Sequence, residues 1–289
     1  MDPTTTTNCY LHPDRTAGVG CQRCDRPICP QCMRQASVGF HCPQCAGART
    51  TQVVTGRAAF SSGSDLVVTK VLIGINAAIW LAMTITGGSA TGAVGPVFEN
   101  GATFGPSIAQ GEWYRLVSGA FLHAGFLHLA MNMFLLWLLG QVLEPALGKA
   151  QFVAVYVVSL LGGSLGVMLL DPASATVGAS GAVFGLMGAL VVLQLRAGQS
   201  PWQSGIGTLV ALNLLITFAV PGISIGGHVG GLLAGALVAL GAVPRSTGAT
   251  GGRNVQHVAR LGAMLALGVL LAWASIVVIG NEFPWLVPA

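Results

Sequence analysis

Charged residues are scarce in this sequence. They make up 8% of the 289 positions, and the 13 basic and 9 acidic side chains leave a net charge of +4, whereas 53% of the residues are hydrophobic. So few polar groups cannot cover the surface of a soluble protein of this size, and the basic residues are too sparse for a nucleic-acid footprint. The sequence therefore predicts a protein that lies among membrane lipids and has no nucleic-acid partner.

Cysteine is missing from the whole sequence after residue 45. All seven cysteines precede that point, so the hydrophobic remainder has no thiol for a disulfide or a metal. The N-terminal stretch also lacks the apolar segment of a signal peptide, because it is polar and rich in threonine and then cysteine. We therefore expect the N-terminus to remain in the cytosol.

The seven cysteines and one histidine form four pairs, each with two residues between its members. The pairs are Cys9 with His12, Cys21 with Cys24, Cys29 with Cys32, and Cys42 with Cys45. A two-residue gap lets a tight turn present both side chains to one ion, and eight ligands fill two tetrahedral zinc sites. A disulfide cluster is disfavoured by the odd number of thiols and by the reducing cytosol. His41, beside Cys42, is either a substitute ligand or an ordinary surface histidine.

This spacing resembles the B-box type of zinc finger and predicts a zinc-binding domain at residues 1–48. The resemblance implies that the first and third pairs hold one zinc ion and that the second and fourth pairs hold another, although the last pair lacks the usual histidine-rich ending. So short a segment has no core, and zinc binding, worth about 10–16 kcal/mol in small zinc peptides, would supply its folding energy. We expect a role in recognition or regulation, with a protein partner that the sequence does not identify.

Seven apolar runs follow a linker predicted at residues 49–65. They lie at about 66–86, 124–143, 150–170, 180–195, 205–220, 227–243 and 257–280. Most are long enough to cross roughly 30 Å of hydrocarbon, although the fourth and fifth are short. The sequence thus predicts an all-α membrane protein with seven transmembrane helices. Residues 66–243 would form a six-helix core, and residues 244–289 a linker, a seventh transmembrane helix and a tail.

The positions of the basic residues support this helix count independently of hydropathy. With the N-terminus inside, twelve of the 13 lysines and arginines fall in inner segments, and Arg115 alone lies outside. This is the asymmetry of the positive-inside rule, and removing any one helix would scramble it. We therefore predict a multi-pass protein of the cell membrane with a cytoplasmic N-terminus and an outer C-terminus.

Helices two, four and six of this arrangement all enter from outside, and each begins with polar side chains. Helix two carries His128 and Asn132, helix four begins at Ser180, and helix six carries His228. Taken alone, Ser180 would be a helix N-cap, and the pair on helix two would be interhelical hydrogen bonding or, for His128, a metal ligand. Polar groups inside a bilayer are rarely placed without partners or a purpose, so the shared depth favours one site.

Glycine supplies the closeness that such a site requires. Helices four and six each have two glycines four positions apart, which are Gly181 with Gly185 and Gly231 with Gly235. Contact between these small faces would bring the Ser180 hydroxyl to the His228 imidazole, as a nucleophile and its base. No acidic residue is built into helix four or six near this pair, so we predict a Ser–His dyad. His128, Asn132 and the Ser180 backbone amide are the predicted donors to an oxyanion.

Residues 66–243 resemble the core of a rhomboid intramembrane protease. The resemblance rests on Trp113, Arg115, His123, His128, Asn132, Gly140, Glu144, Gly178, Ser180, His228, Gly231 and Gly235. It implies cleavage of single-span transmembrane proteins near the outer face, with no metal or cofactor for the chemistry. It also implies structural hydrogen bonding by His123, Arg115 and Glu144, beside the packing role of the two glycines on helix six.

Three other functions are weighed against this one. A catalytically silent relative that binds client transmembrane helices is disfavoured because both Ser180 and His228 are present. A transporter or channel would be expected to show broken helices or repeated halves, and the sequence has neither. A membrane-bound acyltransferase or lipase uses the same kind of Ser–His pair and oxyanion donors, so only a substrate test separates it from a protease.

Overall fold

The structure, a computed structural model, describes residues 7–22, 24–35, 39–47, 66–90, 92, 94–241 and 253–287, with only the backbone of residues 253–257. The chain divides into two compact units, Met1–Ser61 and Ser62–Ala289, and each has its own core. The linker predicted at residues 49–65 lies outside the described residues. The predicted domain boundaries therefore stay predictions.

The N-terminal unit contains two short antiparallel hairpins. Val19–Gly20 pairs with Pro27–Ile28, and Arg34–Gln35 pairs with Phe40–His41. A 3-10 turn at Pro30–Cys32 and a helix at Pro43–Gly47 are the other elements among its described residues. Among its described residues the buried side chains are five cysteines and a single isoleucine. The centre of this unit thus consists mainly of thiols, where a larger domain has an apolar core. Because the unit contains β-strands, the predicted all-α fold applies only to the membrane unit.

Seven long helices make up most of the membrane unit within the residues that the structure describes. They are α1 Val67–Ile85, α2 Phe126–Leu147, α3 Lys149–Leu170, α4 Ser180–Arg196, α5 Ile206–Ala219, α6 Ile225–Gly241 and α7 Arg253–Glu282. Each coincides with one of the predicted apolar runs. Within the described ranges, α1, α2, α3 and the Val258–Glu282 part of α7 are long and apolar enough to cross a membrane. The chain is therefore a multi-pass membrane protein.

Helices α4, α5 and α6 are apolar but shorter, with 17, 14 and 17 residues. At 1.5 Å per residue they are about 21–26 Å long, which is less than the hydrocarbon thickness of a typical bilayer. The count of seven spans accordingly stays a prediction. Two of the short helices carry candidate catalytic residues in their first turn, because α4 begins at Ser180 and His228 is the fourth residue of α6.

Helices α3, α4 and α6 are in backbone contact at the centre of the membrane unit. A Cβ atom on Gly231 would lie 2.0 Å from the carbonyl oxygen of Gly181, and one on Gly235 would lie 1.9 Å from that of Gly185. A Cβ atom on Gly166 of α3 would be equally close to the backbone of α6. Side chains at these positions would force the helices apart, so glycine sets the distance between α4 and α6.

The other helices surround this centre. α7 packs along α3, α1 packs against α2, and α5 touches α4 and α6 over a small area. Glu144, near the end of α2, accepts hydrogen bonds from the backbone N–H groups of Val68 at 2.9 Å and Thr69 at 2.8 Å, and from the Thr69 hydroxyl at 2.6 Å. The carboxylate thereby caps the first turn of α1 from a neighbouring helix.

The segment between α1 and α2 is folded rather than extended. It contains short helices at Pro96–Gly101, Gly105–Ala109 and Arg115–Ser118. Thr103 forms an isolated antiparallel bridge with Thr176, with N–H to oxygen distances of 3.0 and 2.9 Å. The segment is thus tied to the stretch of chain that leads into α4.

Candidate active site and metal centres

A cavity of about 930 Å³ lies at the N-terminal ends of α2, α4 and α6. Its lining includes His128 and Asn132 of α2, Ser180 of α4 and His228 of α6. The loop before α6 also contributes, through residues 222–224. The structure thus brings the four polar side chains of the predicted site into one space, whereas their chemical roles stay predictions.

Ser180 is the first residue of α4 and is half-buried. The N-cap position is held by Ala179, and no side-chain hydrogen bond caps the helix, so the interpretation of Ser180 as an N-cap is wrong. The first backbone N–H groups of a helix have no acceptor within the helix. At α4 these donors lie beside the Ser180 hydroxyl.

Gly178 allows the histidine of α2 to approach the serine of α4. Its φ is +128°, and a Cβ atom there would lie 2.7 Å from Cε1 of His128 and 3.6 Å from Oγ of Ser180. The Gly178 N–H donates to the carbonyl oxygen of Gly119 at 2.9 Å, which holds the backbone in this position. Both the backbone angle and the lack of space require glycine here.

The hydrogen bonds of His128 and Asn132 leave one donor on each side chain. The backbone N–H of Ala124 donates to Nδ1 of His128 at 3.4 Å, which leaves the proton of a neutral ring on Nε2. Asn132 donates from Nδ2 to the carbonyl oxygen of His128 at 2.9 Å, and Nδ2 carries a second hydrogen. Residues four apart share one face of a helix, so α2 presents both remaining donors together.

His228 is held by two neighbours that the sequence analysis did not identify. Its Nδ1 lies 2.7 Å from the hydroxyl oxygen of Thr217 on α5. Its ring stacks on that of Phe184, with ring centroids 4.1 Å apart and an angle of 16° between the planes. Phe184 follows Ser180 by four residues, so helical spacing could have identified it. Thr217 could have been identified because it is a polar residue inside an apolar run, where polar side chains are rarely placed without a purpose.

Ser180 and His228 both line the cavity, but no hydrogen bond joins them within the part of the chain that the structure describes. Such bonds between a nucleophile and its base are often long in a protein without substrate and tighten when substrate binds. The acidic side chain in the cavity lining is that of Asp171, which is exposed. The group that contacts Nδ1 of His228 is the Thr217 hydroxyl and not this carboxylate.

Arg115 is buried and fixes the segment that precedes α2. Its Nη1 donates to the backbone oxygens of Glu99 at 2.8 Å and Ala102 at 3.1 Å, and its Nε pairs with the carboxylate of Glu112. The hydroxyl of Thr103 donates to the backbone oxygen of Arg115 at 2.9 Å. These contacts hold the loop together, and Arg115 itself does not line the cavity.

His123 is fully buried beside His128. Neither ring nitrogen has a hydrogen-bond partner among the described residues. The ring instead packs edge-on against His128, with centroids 5.2 Å apart. This packing contact supports the ring of His128, and the structural hydrogen bonding expected of His123 stays a prediction.

In the N-terminal unit the eight predicted ligands form two clusters. The first contains Cys9, His12, Cys29 and Cys32, and the second contains Cys21, Cys24, Cys42 and Cys45. Within each cluster the ligand atoms all lie within 4.8 Å of one another, so each can hold a metal ion. Nδ1 of His12 faces the sulfurs, at 3.2 Å from Cys32 and 3.5 Å from Cys29. His41 lies in a strand and belongs to neither cluster.

The thiols within each cluster differ in pKa. Burial raises the pKa of Cys9, but hydrogen bonds, first among them one from the backbone of Cys29, lower it to about 6. Burial and hydrogen bonding to Cys9 raise the pKa of Cys32 to about 11. Burial also raises the pKa of Cys42, but hydrogen bonds, first among them one from the backbone of Cys45, lower it to about 6. Hydrogen bonding to Cys42 raises the pKa of Cys45 to about 12. A bound cation would favour the thiolate form of all of them.

Residues 110–245 match the rhomboid domain family. Rhomboid protease GluP of Bacillus subtilis is 35% identical over 222 residues, which are 75% of this chain and 42% of GluP. YdcA of the same organism, also ascribed to the rhomboid proteases, is 38% identical over 135 residues, 45% of this chain and 68% of YdcA. RHOMBOID-like protein 5 of Arabidopsis thaliana is 39% identical over 135 residues, 44% of this chain and 43% of that protein. The chain thus spans less than half the length of GluP and of the Arabidopsis protein.

Proposed function

The chain belongs to the rhomboid family, and we propose that it is a serine protease that cleaves other membrane proteins within the bilayer. The observation that carries the proposal is the cavity in which Ser180, His228, His128 and Asn132 meet. It supplies a nucleophile, a base and two hydrogen-bond donors in one space. The name of GluP describes a protease, and the chain covers 42% of that relative's length. Protease activity is therefore proposed for this chain by similarity.

The proposed reaction begins when Oγ of Ser180 attacks the carbonyl carbon of the scissile peptide bond and its proton moves to Nε2 of His228. The imidazolium then gives that proton to the leaving amine as the C–N bond breaks, and an acyl-enzyme ester remains. Water next loses a proton to His228 and adds to the ester carbonyl. The Ser180 oxygen leaves and takes the proton back, so the products are a carboxylic acid and an amine, and no metal or cofactor takes part.

The attack by Ser180 and the later attack by water each form a tetrahedral intermediate with a negatively charged oxygen. The proposed donors to this oxyanion are Nε2 of His128, Nδ2 of Asn132 and the backbone N–H of Ser180. Each such donor is worth about 2.7–4 kcal/mol in the transition state when it is already in position. The packing of His123 and Gly178 against the His128 ring supports this arrangement, because it limits how far the ring can turn.

The proposed substrate is a single-span transmembrane protein, cut near the outer face of the cell membrane. With seven spans and a cytoplasmic N-terminus, the N-terminal ends of α2, α4 and α6 face outward, as the twelve inner basic residues suggest. Water can then reach the cavity from outside, and the C-terminus also lies outside. Hydrolysis needs that water, so an outward site suits the chemistry.

We further propose that each cluster of the N-terminal unit holds one zinc ion with a structural role. Two sulfur–sulfur distances support this, 3.8 Å between Cys9 and Cys32 and 3.9 Å between Cys24 and Cys42. Ligands about 2.3 Å from a tetrahedral zinc ion lie about 3.8 Å from one another. The zinc-held domain, residues 1–48, would serve to bind a cytosolic protein partner, which the chain itself does not identify.

A second candidate function is supported by one observation. Because Ser180 and His228 are not hydrogen-bonded within the described residues, the chain would also suit a catalytically silent protein that binds client transmembrane helices. In that case the cavity receives a substrate helix without cutting it. Binding without cleavage is the outcome that would favour this function.

The deciding experiment is cleavage of a fluorescent transmembrane reporter by the purified protein in liposomes. Wild type is compared with Ser180→Ala and His228→Ala, and with Ser174→Ala as a matched control, because Ser174 lines the same cavity but is exposed. The proposal expects a fall in kcat of at least about 10³-fold for the first two variants, since nucleophile and base act as a unit, and no change for the control.

Two results would contradict the proposal. Cleavage by the Ser180→Ala protein at the wild-type rate would place the active site elsewhere. Failure of the folded wild type to cut any of several reporters, while still binding them, would favour the client-binding function. Hydrolysis of a lipid or thioester in place of the reporter would identify the acyltransferase or lipase chemistry instead.

A further inference from the structure

Thr217 has hydrogen-bond contacts that reach from α5 to the base of the proposed reaction. It is 2% exposed and is the sole buried polar side chain among the described residues of α5, whose other buried residues are Ile206 and Gly207. Its Oγ1 donates to the carbonyl oxygen of Asn213 at 2.7 Å and lies 2.7 Å from Nδ1 of His228. The buried Thr217 hydroxyl therefore has two hydrogen-bond partners within the protein, the Asn213 carbonyl and the His228 imidazole.

A hydroxyl has one proton, and this decides the state of the histidine. When the Thr217 hydroxyl donates its proton to the carbonyl oxygen of Asn213, Oγ1 can only accept a hydrogen bond from His228, and Nδ1 must carry the hydrogen. A neutral imidazole with its proton on Nδ1 has a lone pair on Nε2. That lone pair is what Ser180 needs in order to lose its proton.

We infer that Thr217 is a positioning residue that holds His228 in the base-competent tautomer, in the place that a carboxylate takes in a catalytic triad. This inference rests on the proposed function and deepens it. Phe184 fixes the plane of the ring by stacking, and Thr217 fixes its rotation within that plane. When Nε2 takes the serine proton, the ring becomes a cation, and its hydrogen bond to Thr217 becomes charge-assisted and stronger. Thr217 therefore favours the transition state over the resting state.

The geometry also connects α5 to catalysis. α5 has a small area of contact with α4 and α6, and the Thr217–His228 hydrogen bond joins it to α6 at the cavity. A displacement of α5 would release Nδ1, and His228 would then be free to adopt the other tautomer. Proton transfer from Ser180 thus depends on α5 being in place.

The test compares Thr217→Val, which keeps the shape and removes the hydroxyl, with Thr217→Ser, which keeps the hydroxyl. Thr208→Val is the matched control, because Thr208 is an exposed threonine on the same helix. The first measurement is reporter cleavage, with kcat and KM determined separately. The second is the rate at which a fluorophosphonate labels Ser180. The third is ¹⁵N NMR of labelled histidine, with the His228 signals assigned by their loss in His228→Gln.

We expect Thr217→Val to lower kcat by roughly 10- to 100-fold with little change in KM, because a misplaced catalytic group acts on the chemical step. Labelling should slow in parallel, Thr217→Ser should restore both rates to within about threefold, and Thr208→Val should match wild type. NMR should show the proton of His228 on Nδ1 in wild type and in Thr217→Ser, and a mixture of tautomers in Thr217→Val.

The inference is overturned if Thr217→Val keeps the wild-type kcat, if only KM changes, or if His228 in wild type carries its proton on Nε2. If Thr217→Val does not fold, Thr217→Ala makes the same comparison with less crowding. The NMR result separates this inference from the proposed function. A wild-type protein that shows the Nδ1 tautomer but cuts no reporter supports the Thr217–His228 contact while contradicting the protease.

Discussion

The N-terminal unit and the membrane unit are stabilised by different kinds of residue. The first has five buried cysteines and one isoleucine at its centre and two clusters that can hold metal ions. The second has a large apolar core, and at its centre glycines such as Gly231 and Gly235 bring the backbones of α4 and α6 into contact. The first unit is thus built around side chains that can hold metal ions, whereas the second is built around closely packed helices.

This difference has a practical consequence, because the two units carry separate spectroscopic and chemical reporters. All seven cysteines lie in the first 45 residues, and all six tryptophans lie at position 80 or later. Thiol reactivity therefore reports on the N-terminal unit alone, and tryptophan fluorescence reports on the membrane unit alone. The stability of each unit can be measured in the full-length protein.

The largest expected effect is that of removing the metal. A strong chelator should release two zinc ions per chain and expose all seven thiols to alkylation, because zinc binding in such small domains is worth about 10–16 kcal/mol. The unfolding transition followed by tryptophan fluorescence should not move. A shift of that transition, or a loss of reporter cleavage in the same step, would show that the membrane unit also depends on the metal.

Acid should have the same effect as the chelator. Zinc binds thiolates and neutral histidine, so protons compete with the metal and its apparent affinity should fall as the pH is lowered. The high thiol pKa values of Cys32, about 11, and Cys45, about 12, mean that metal binding near pH 7 must release protons from these two residues. Zinc retention measured against pH should therefore rise with pH; retention that does not change between pH 7 and pH 5 would contradict the assignment.

The next largest effect should come from adding one methyl group between α4 and α6. A Cβ atom on Gly235 would lie 1.9 Å from the carbonyl oxygen of Gly185, and backbone cannot move aside as a flexible side chain can. Gly235→Ala should therefore destabilise the membrane unit by about 3 kcal/mol, at the upper end of the usual range for overpacking, and should lower reporter cleavage.

Gly74→Ala is the control for this variant. Gly74 lies on α1, is exposed, and has no atom within 4 Å of the position that its Cβ would occupy. The same substitution there should be neutral or stabilising by up to about 1 kcal/mol, because alanine favours a helix more than glycine does. Equal effects of the two substitutions on the tryptophan-detected transition would refute the importance of the close contact.

The smallest of these effects is expected at Glu144. Its carboxylate accepts three hydrogen bonds from Val68 and Thr69, and an amide in its place would turn a donor toward one of the N–H groups. Glu144→Gln should cost about 1–2 kcal/mol of stability in the membrane unit, because one buried donor is left without an acceptor. Glu282→Gln, at an exposed position on α7, should change nothing measurable. Thiol reactivity should be the same in both variants.

Much of the site could be predicted because local sequence restricts it strongly. The span from Phe126 to Leu147, for example, follows from an apolar run alone, because a segment inside a bilayer must satisfy its own backbone and therefore forms a helix. His128 and Asn132 are four residues apart and so share a face, whatever the rest of the chain does. The cysteine pairs are local in the same way, since each two-residue gap is a turn.

The features that could not be predicted from the sequence depend on contacts between distant parts of the chain. The packing of His123 on His128 was not predicted, and Ser180 stands one residue after the cap of its helix. Thr217 and Phe184 were not identified, although both touch His228. Each of these features depends on which neighbour a side chain meets in space.

The sequence by itself determined which segments form long apolar helices, which cysteines pair across two residues, and which polar side chains stand near the N-terminal ends of helices, because hydropathy and helical spacing act over short distances along the chain. Only the tertiary structure decided that Thr217 of α5 meets Nδ1 of His228 and that Gly178 leaves room for the His128 ring beside Ser180. The rotation of each helix about its axis is set by packing against the others, and a shift of one residue would give these side chains different partners.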